Sequence, residues 1–402
     1  MRRRPALFPG FLFDGPVHAM SKTSFIDALA GSPDCAFDEA VEKINSATPD
    51  DVTSALGKIP VNLDGFTALL SASADAFADR VRHSARELTA QRFGRVVNLY
   101  KPLYLSNACV NACLYCGFNA AMNIRRRTLA PDEVAREGEI LRSEGYANVL
   151  LVAGEDGAST PVALIEDSVR LLKGMGFSYV GIEVAPLSVD QYARLGEAGL
   201  DGVTVYQETY DRAVYKQVHP GGPKRNFEWR LATPERAAKA GIRNIGLGFL
   251  LGLGDYRREA LALYAHIRFM QKAYWQTAVS VSFPRLHHTP AGFAPGRHVS
   301  DAELFRLITA TRLANPDITL TLSTRESSAL RDSLFGVGIN QASAGSKTSP
   351  GAYSSIGCED TAGEQFPVVD ERAPEEVARS IKKLGLEGVW KDWDSRFKPA
   401  VY

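Results

Sequence analysis

Residues 96–118 read VVNLYKPLYLSNACVNACLYCGF. The β-branched and aromatic run over 96–105 predicts a strand, and Cys109, Cys113 and Cys116 follow it in a short loop. A C-x3-C-x2-C spacing supplies three thiolates from one segment, whereas a cubane iron–sulfur cluster has four irons to ligate. One iron is left for a small chelating molecule, so the spacing points to a catalytic cluster more than to an electron-transfer one. A structural zinc site closes with four Cys or His ligands. Here no histidine lies between His83 and His219, and Cys35 and Cys358 are distant in sequence. Five cysteines, an odd number, in 402 residues argue against a disulfide framework and for a reducing, cytoplasmic setting.

Outward from this loop the rhythm is regular. Strand signals recur at NVLLVAG, YVGIEVA, GVTVYQE, NIGLGFLLG, AVSVSFP, ITLTLST and INQAS, with helical stretches between them such as PDEVAREGEILRSEG and DAELFRLITATRLA. Eight strands alternating with helices fit an α/β fold, a (βα)8 TIM-type barrel, better than an open sheet. In such a barrel function gathers at the C-terminal ends of strands. The cysteine loop follows the first strand, Glu155 ends the second, Gln207 and Glu208 the fourth and Arg325 the seventh, so these groups are expected at one mouth.

The expected organisation is a flexible extension over 1–21, an N-terminal helical segment over 22–92, the barrel over 93–357 and a C-terminal cap over 358–402. Thr48 before Pro49 is a helix start signal. The opening MRRRPALFPGFLF imitates a signal peptide, but its apolar part is short and broken by Pro9 and Gly10. Lys plus Arg and Asp plus Glu both number 46, so no overall basic field favours nucleic acid. No run of 18 apolar residues predicts a membrane span.

The phrases YLSNACVNACLYCGF, VYQETYD, WRLATPERAAKAGI, SVSFPRL, LSTRES and GVWKDWDS resemble the radical S-adenosylmethionine (SAM) enzymes. Within them they are similar to the tyrosine lyases that make 2-iminoacetate for the thiazole of thiamine. The resemblance implies a [4Fe-4S] cluster on Cys109, Cys113 and Cys116, with SAM chelating the fourth iron. It implies cleavage of the Cα–Cβ bond of L-tyrosine to 2-iminoacetate (dehydroglycine) and p-cresol, with 5′-deoxyadenosine and methionine as co-products. For SAM it implies roles for Tyr115 at the adenine, Glu155 at the amino group, Arg230 at the carboxylate, and Gln207 and Glu208 on the ribose side. Gly248 and Leu250, in GLGFLLGLGD, correspond to an adenine-packing element, with Asp255 at its acidic end. Arg325 corresponds to the group that captures the substrate carboxylate, and Tyr104 and Ser343 to positions near the substrate amino group. A buried Arg325 needs an anion, either substrate or Glu326. Glu183 has two readings, a helper at the ribose or a member of a structural ion pair, and Ser282 and Arg285 have no assigned role.

The resemblance also implies partners: the thiazole synthase that consumes the imine, and a reductant protein of flavodoxin or ferredoxin type. Two related lyases compete, one acting on tryptophan and one that matures hydrogenase by carrying the product further at a second cluster. The latter requires a C-terminal cysteine set, and this chain has only Cys358 there. A noncatalytic iron–sulfur or zinc module on a barrel scaffold is the alternative from a different class.

Overall fold

The computed structural model describes residues 24–31, 34–287, 289, 291–354 and 363–391. The expected extension 1–21, His288, Cys358 and residues 392–395 of the aromatic tail lie outside them.

Strand β1 (Val96–Ser106) shows how the sequence makes the barrel. Its period of two sends Leu99, Leu103 and Leu105 into full burial, while Tyr100, Pro102 and Tyr104 line an internal cavity. Burying each such leucine contributes about 1.5–3 kcal/mol. The next strands are β2 (Asn148–Ala153), β3 (Tyr179–Glu183), β4 (Gly202–Thr204), β5 (Asn244–Gly248), β6 (Ala278–Ser282), β7 (Thr319–Leu322) and β8 (Gln341–Ser343). Neighbours pair in parallel, and β1 pairs with both β2 and β8, which closes the ring. All eight expected strands form. A ninth, β9 (Glu387–Val389), which the sequence pattern does not announce, pairs in parallel with Val96–Asn98 beneath β2. There Trp390 packs edge-on against Tyr146, with ring centroids 4.9 Å apart.

The residues before β1 are helical, including Phe25–Ala30, Asp34–Ser46, Pro49–Leu56, Leu63–Leu70 and Ala78–Phe93. Thr48 caps Pro49–Leu56 as its sequence predicts: its hydroxyl accepts from Asp51 N at 3.3 Å, and the Asp51 carboxylate accepts from Thr48 N at 2.9 Å. These helices lie against the barrel's helices Tyr256–Ala273 and Asp301–Ala314. Hydrogen bonds tie them down, from Phe25 N to Glu235 Oε1 at 2.9 Å and from Val61 N to Leu313 O at 2.9 Å.

At the opposite end, the segment around residues 363–370 crosses the barrel mouth as a strap. Gln365 O accepts from Gly117 N in the cysteine loop at 3.0 Å, Gln365 N donates to Thr348 O at 3.2 Å, and Val369 N donates to Thr324 O at 2.9 Å. Among the described residues no helix is long and apolar enough to cross a membrane.

Candidate active site

The cysteine loop leaves β1 and crosses the end of β2. Gly154 N donates to Ser106 O at 2.8 Å, and a Cβ at this position would lie 2.2 Å from Ala108 O. Only glycine permits that approach. The three cysteines are unbridged, with Cys113 buried and Cys109 and Cys116 partly so. Burial pushes the Cys113 thiol up to about 12 and the Cys116 thiol up to about 11; the neighbouring thiols add to it and Lys224 opposes it. Tyr115 is buried, with its hydroxyl 2.8 Å from Nε2 of His219. Burial and the Lys224 charge lower that imidazole to about 3, so it is neutral.

A ring of charges adjoins the loop. Glu155 Oε1 lies 2.8 Å from Arg230 Nη1, and its Oε2 accepts from Asn111 Nδ2 at 2.9 Å. Arg230 also donates through Nε to Tyr206 O at 2.7 Å. It is buried, near the end of the short helix Phe227–Leu231. β4 stops at Thr204, so Gln207 and Glu208 lie beyond the strand they were expected to end. Glu208 is held by a bridge to Phe249 and has φ of 70°. Lys224 Nζ is 2.8 Å from Glu208 Oε1, and Arg230 Nη2 is 3.6 Å from it. Burial would raise Glu208, but the Lys224 and Arg230 cations overcome it and hold the carboxyl below its usual range.

After β5, Leu250 packs with Cys113 and Tyr115. A Cβ on Gly248 would lie 2.4 Å from Ser282 O, so that strand end must also be glycine. Asp255 does not join the site. It caps the helix Tyr256–Ala273, accepting from Arg257 N at 3.0 Å, and lies 3.5 Å from Arg297. An aspartate directly before an apolar helix satisfies orphan backbone donors, and that use prevails here.

Two cavities meet at this mouth. One of about 140 Å³ is lined by Tyr115, Cys116, Glu208, Lys224 and Leu250. A second of about 50 Å³ is lined by Tyr100, Tyr104, Thr348 and Ser343. Glu183, Tyr206, Arg325, Gln365 and Phe366 line both. Tyr104 donates to Gln365 Oε1 at 2.7 Å, and Ser343 is hydrogen-bonded to Tyr100. Arg325, three residues beyond the end of β7, stacks its guanidinium 3.3 Å from the Phe366 ring centroid. Burial lowers its pKa, with Tyr104 and Glu183 opposing. No carboxylate among the described residues forms an ion pair with it.

Glu326, the rival anion, is taken by other groups. Arg285 Nη2 and Nε bind it, Nε at 3.2 Å, and His287 Nε2 lies 3.4 Å away. It is therefore occupied by these groups and not by Arg325, and Arg285 is structural, reaching Asp301 at 2.8 Å as well. Burial, then Glu208, pushes the Glu183 carboxyl up to about 7, while Arg325 pulls it down. Ser282 ends β6, hydrogen-bonded to Tyr206.

The donor set fits a cluster with a polar nucleotide ligand. Buried thiols this reluctant to ionise become thiolates when a metal replaces their protons. Among the described residues no three His, Cys, Asp or Glu side chains gather around one ion; cluster thiolates bind separate irons and need not converge on one point. The side-chain amide of Gln207 is buried, and neither of its polar atoms has a hydrogen-bond partner among the described residues. Leaving it so costs about 1–3 kcal/mol, which a bound polar ligand would recover.

The sequence pattern leaves Asn111, Lys224, His219, Gln365 and Phe366 unannounced. Lys224 sits in a loop, GGPKRN, that composition marks as a solvated turn. Asn111 lies inside the cysteine motif itself and could have been found there, since a side-chain amide between ligands is placed to bind a neighbour.

The Radical SAM superfamily family model matches residues 103–267, and the Biotin and Thiamin Synthesis associated domain matches residues 282–387. The chain is 43% identical over 360 residues to 2-iminoacetate synthase of Escherichia coli (strain K12), covering 89% of this chain and 94% of that protein. Among solved structures it is similar to HydG, a maturase of the [FeFe]-hydrogenase, with TM-score 0.81 and 30% identity over 89% of this chain and 80% of that one. HydG from Carboxydothermus hydrogenoformans matches with TM-score 0.81 at 29% identity, covering 93% of this chain and 85% of that one. With a thiol triad leaving the first strand of a closed parallel barrel, a match to the Radical SAM superfamily model and 43% identity to a 2-iminoacetate synthase over 89% of its length, the chain belongs to the 2-iminoacetate synthase family of radical SAM enzymes.

Proposed function

We propose that this chain cleaves the Cα–Cβ bond of L-tyrosine to 2-iminoacetate and p-cresol for the thiazole of thiamine. The observation that carries the substrate reading is Arg325, a cation without a carboxylate partner among the described residues, in a cavity that adjoins the thiol loop. A recessed cation of this kind is costly until an anion meets it, and the carboxylate of an amino acid suits a planar guanidinium.

Cys109, Cys113 and Cys116 would hold the [4Fe-4S] cluster. When bound, the cluster and SAM supply an electron and a carbon-centred radical able to take a hydrogen atom from the substrate amino group. Glu155 and Arg230, already paired, present one negative and one positive pole for the ammonium and carboxylate of SAM. Tyr115, Gly248 and Leu250 give the adenine an apolar bed, while Gln207 and Glu208 offer polar atoms to the ribose. Tyr104 and Ser343 fix the substrate's amino end opposite Arg325. The strap and the stacked Phe366 exclude water from the reacting atoms.

A thiazole synthase to consume the imine, a flavodoxin- or ferredoxin-type reductant and a cytoplasmic setting belong to the same reading. Anaerobically reconstituted protein given reductant, SAM and L-tyrosine is expected to form p-cresol and 5′-deoxyadenosine together. Deoxyadenosine without p-cresol would move the assignment to another amino acid such as tryptophan. Neither product would overturn the lyase reading.

A further inference from the structure

Glu183 and Arg325 line the same two cavities, yet among the described residues they form no ion pair and neither head group is hydrogen-bonded to a protein side chain. Opposite charges that share a cavity without meeting leave a gap suited to a molecule carrying both signs. Arg325 answers to the carboxylate of an amino acid. Its counterpart for the ammonium is the carboxylate facing the same space. We propose that Glu183, at the end of β3, binds the ammonium of the amino-acid substrate and withdraws one proton from it before the hydrogen atom is taken.

The position supports this role. Glu183 lies on the wall common to the chamber beside Cys116 and Leu250 and the chamber holding Tyr104 and Ser343. An amino group held there sits between the two. The chemistry asks for a base, because removing a hydrogen atom from an ammonium would leave a cationic nitrogen radical in a poorly solvated site, whereas a neutral amine gives a neutral one. In the transfer the N–H bond breaks, an O–H bond forms on the carboxylate and the electron pair stays on nitrogen; nothing is oxidised or reduced. The proton leaves to solvent when products depart.

Burial raises the carboxyl to about 7, which brings it toward the α-ammonium of a free amino acid, itself a weaker acid than a peptide terminus because its own carboxylate stabilises the charge. The transfer is uphill in water, and the site favours it because it removes two charges from a low-dielectric space. The groups facing Glu183 are Tyr100 and Tyr104 from β1, Tyr206 and Glu208 beyond β4, Lys224, Arg230, and Arg325 beyond β7. The phenols are raised by burial and stay neutral. Lys224 and Arg230 are committed to Glu208 and Glu155, and Glu208 is held ionised by them. Glu183 is the carboxylate in this set left for substrate.

The proposal rests on the tyrosine-lyase reading, and a binding experiment separates the two. Calorimetry at pH 8 on the SAM-loaded, unreduced holoenzyme compares L-tyrosine with 3-(4-hydroxyphenyl)propanoate, which lacks only the amino group. Glu183→Gln is expected to weaken L-tyrosine by about tenfold or more and the propanoate by less than about twofold. Equal weakening of both ligands, or of neither, overturns the ammonium contact.

With reductant added, Glu183→Gln should form p-cresol about 100-fold more slowly with its iron content intact. Glu183→Asp, which keeps the charge, should recover about tenfold over the glutamine variant. In the unsubstituted enzyme kcat/KM should fall about tenfold per pH unit below 7. An unchanged acid limb in Glu183→Gln, or no recovery in Glu183→Asp, overturns the proton-accepting role. An unsubstituted enzyme that makes no p-cresol sinks the lyase reading, while the two-ligand comparison still decides the role of Glu183.

Discussion

Lys224 and Arg230 both address one oxygen of Glu208, at 2.8 and 3.6 Å, in a site where all three side chains are nearly closed off from solvent. Removing one partner of a buried ion pair strands the other charge, which is why such losses exceed the worth of the pair. Lys224→Met is therefore expected to lower stability by about 3–5 kcal/mol, measured by urea unfolding of the reconstituted protein, and to weaken SAM binding. Arg325→Gln should behave differently, because among the described residues no carboxylate is ion-paired with Arg325 to be stranded. Its expected effect is about a 100-fold loss of p-cresol formation with iron content and unfolding midpoint unchanged, read from product chromatography and iron analysis. The gathering of the three cysteines, Glu155 and Arg325 at one mouth was legible in the chain, because each follows a strand signal. Lys224 was not, because a lysine in a Gly-Gly-Pro turn has the local signature of a solvated residue, and only the crossing of two distant loops buries it.

Between β2 and Glu155, Gly154 sets how closely the cysteine loop lies on the barrel. Gly154→Ala puts a methyl group 2.2 Å from a backbone oxygen that cannot swing aside as a side chain would. The loop must shift, at a cost of about 1–3 kcal/mol, and the thiols shift with it. The expected outcome is reduced iron per chain after anaerobic reconstitution, with the far-ultraviolet circular dichroism spectrum unchanged. The eight barrel strands were legible because each is a β-branched run set off by turn residues from an amphipathic helix. β9 was not, since three residues, Glu387–Val389, carry no period. The end of β4 was overestimated for a related reason: residues 205–208 keep a strand-like composition, but Glu208 turns into a left-handed conformation and leaves the ladder.

The N-terminal helices join the rest of the molecule partly through Phe25, whose ring stacks on His266 with centroids 4.0 Å apart. Tyr210 Oη lies 2.9 Å from His266 Nδ1, and burial lowers the imidazole to about 3. An undocked imidazole titrates near 6.5. The undocked state thus binds the extra proton between pH 6.5 and 3, so docking is at full strength above 6.5 and weakens as pH falls through that window. At pH 5 the loss is about 2 kcal/mol, roughly 30-fold. Hydrogen exchange of the Phe25–Ala30 amides, with intrinsic rates divided out, should show that loss of protection between pH 7 and 5, and His266→Phe should abolish the dependence. The helical character of this segment was legible from its caps and periodicity. Which barrel helices it covers was not, because that depends on contacts between residues more than 200 positions apart.

At the other end, Gln365, anchored through its N–H to Thr348, links two regions: its backbone carbonyl clasps Gly117 in the cysteine loop, and its side chain clasps Tyr104 in the second cavity. A latch shared by two rooms cannot be lifted for one alone. Any movement of Gln365 that frees the cysteine loop therefore also releases Tyr104, so the two compartments are joined through a single glutamine.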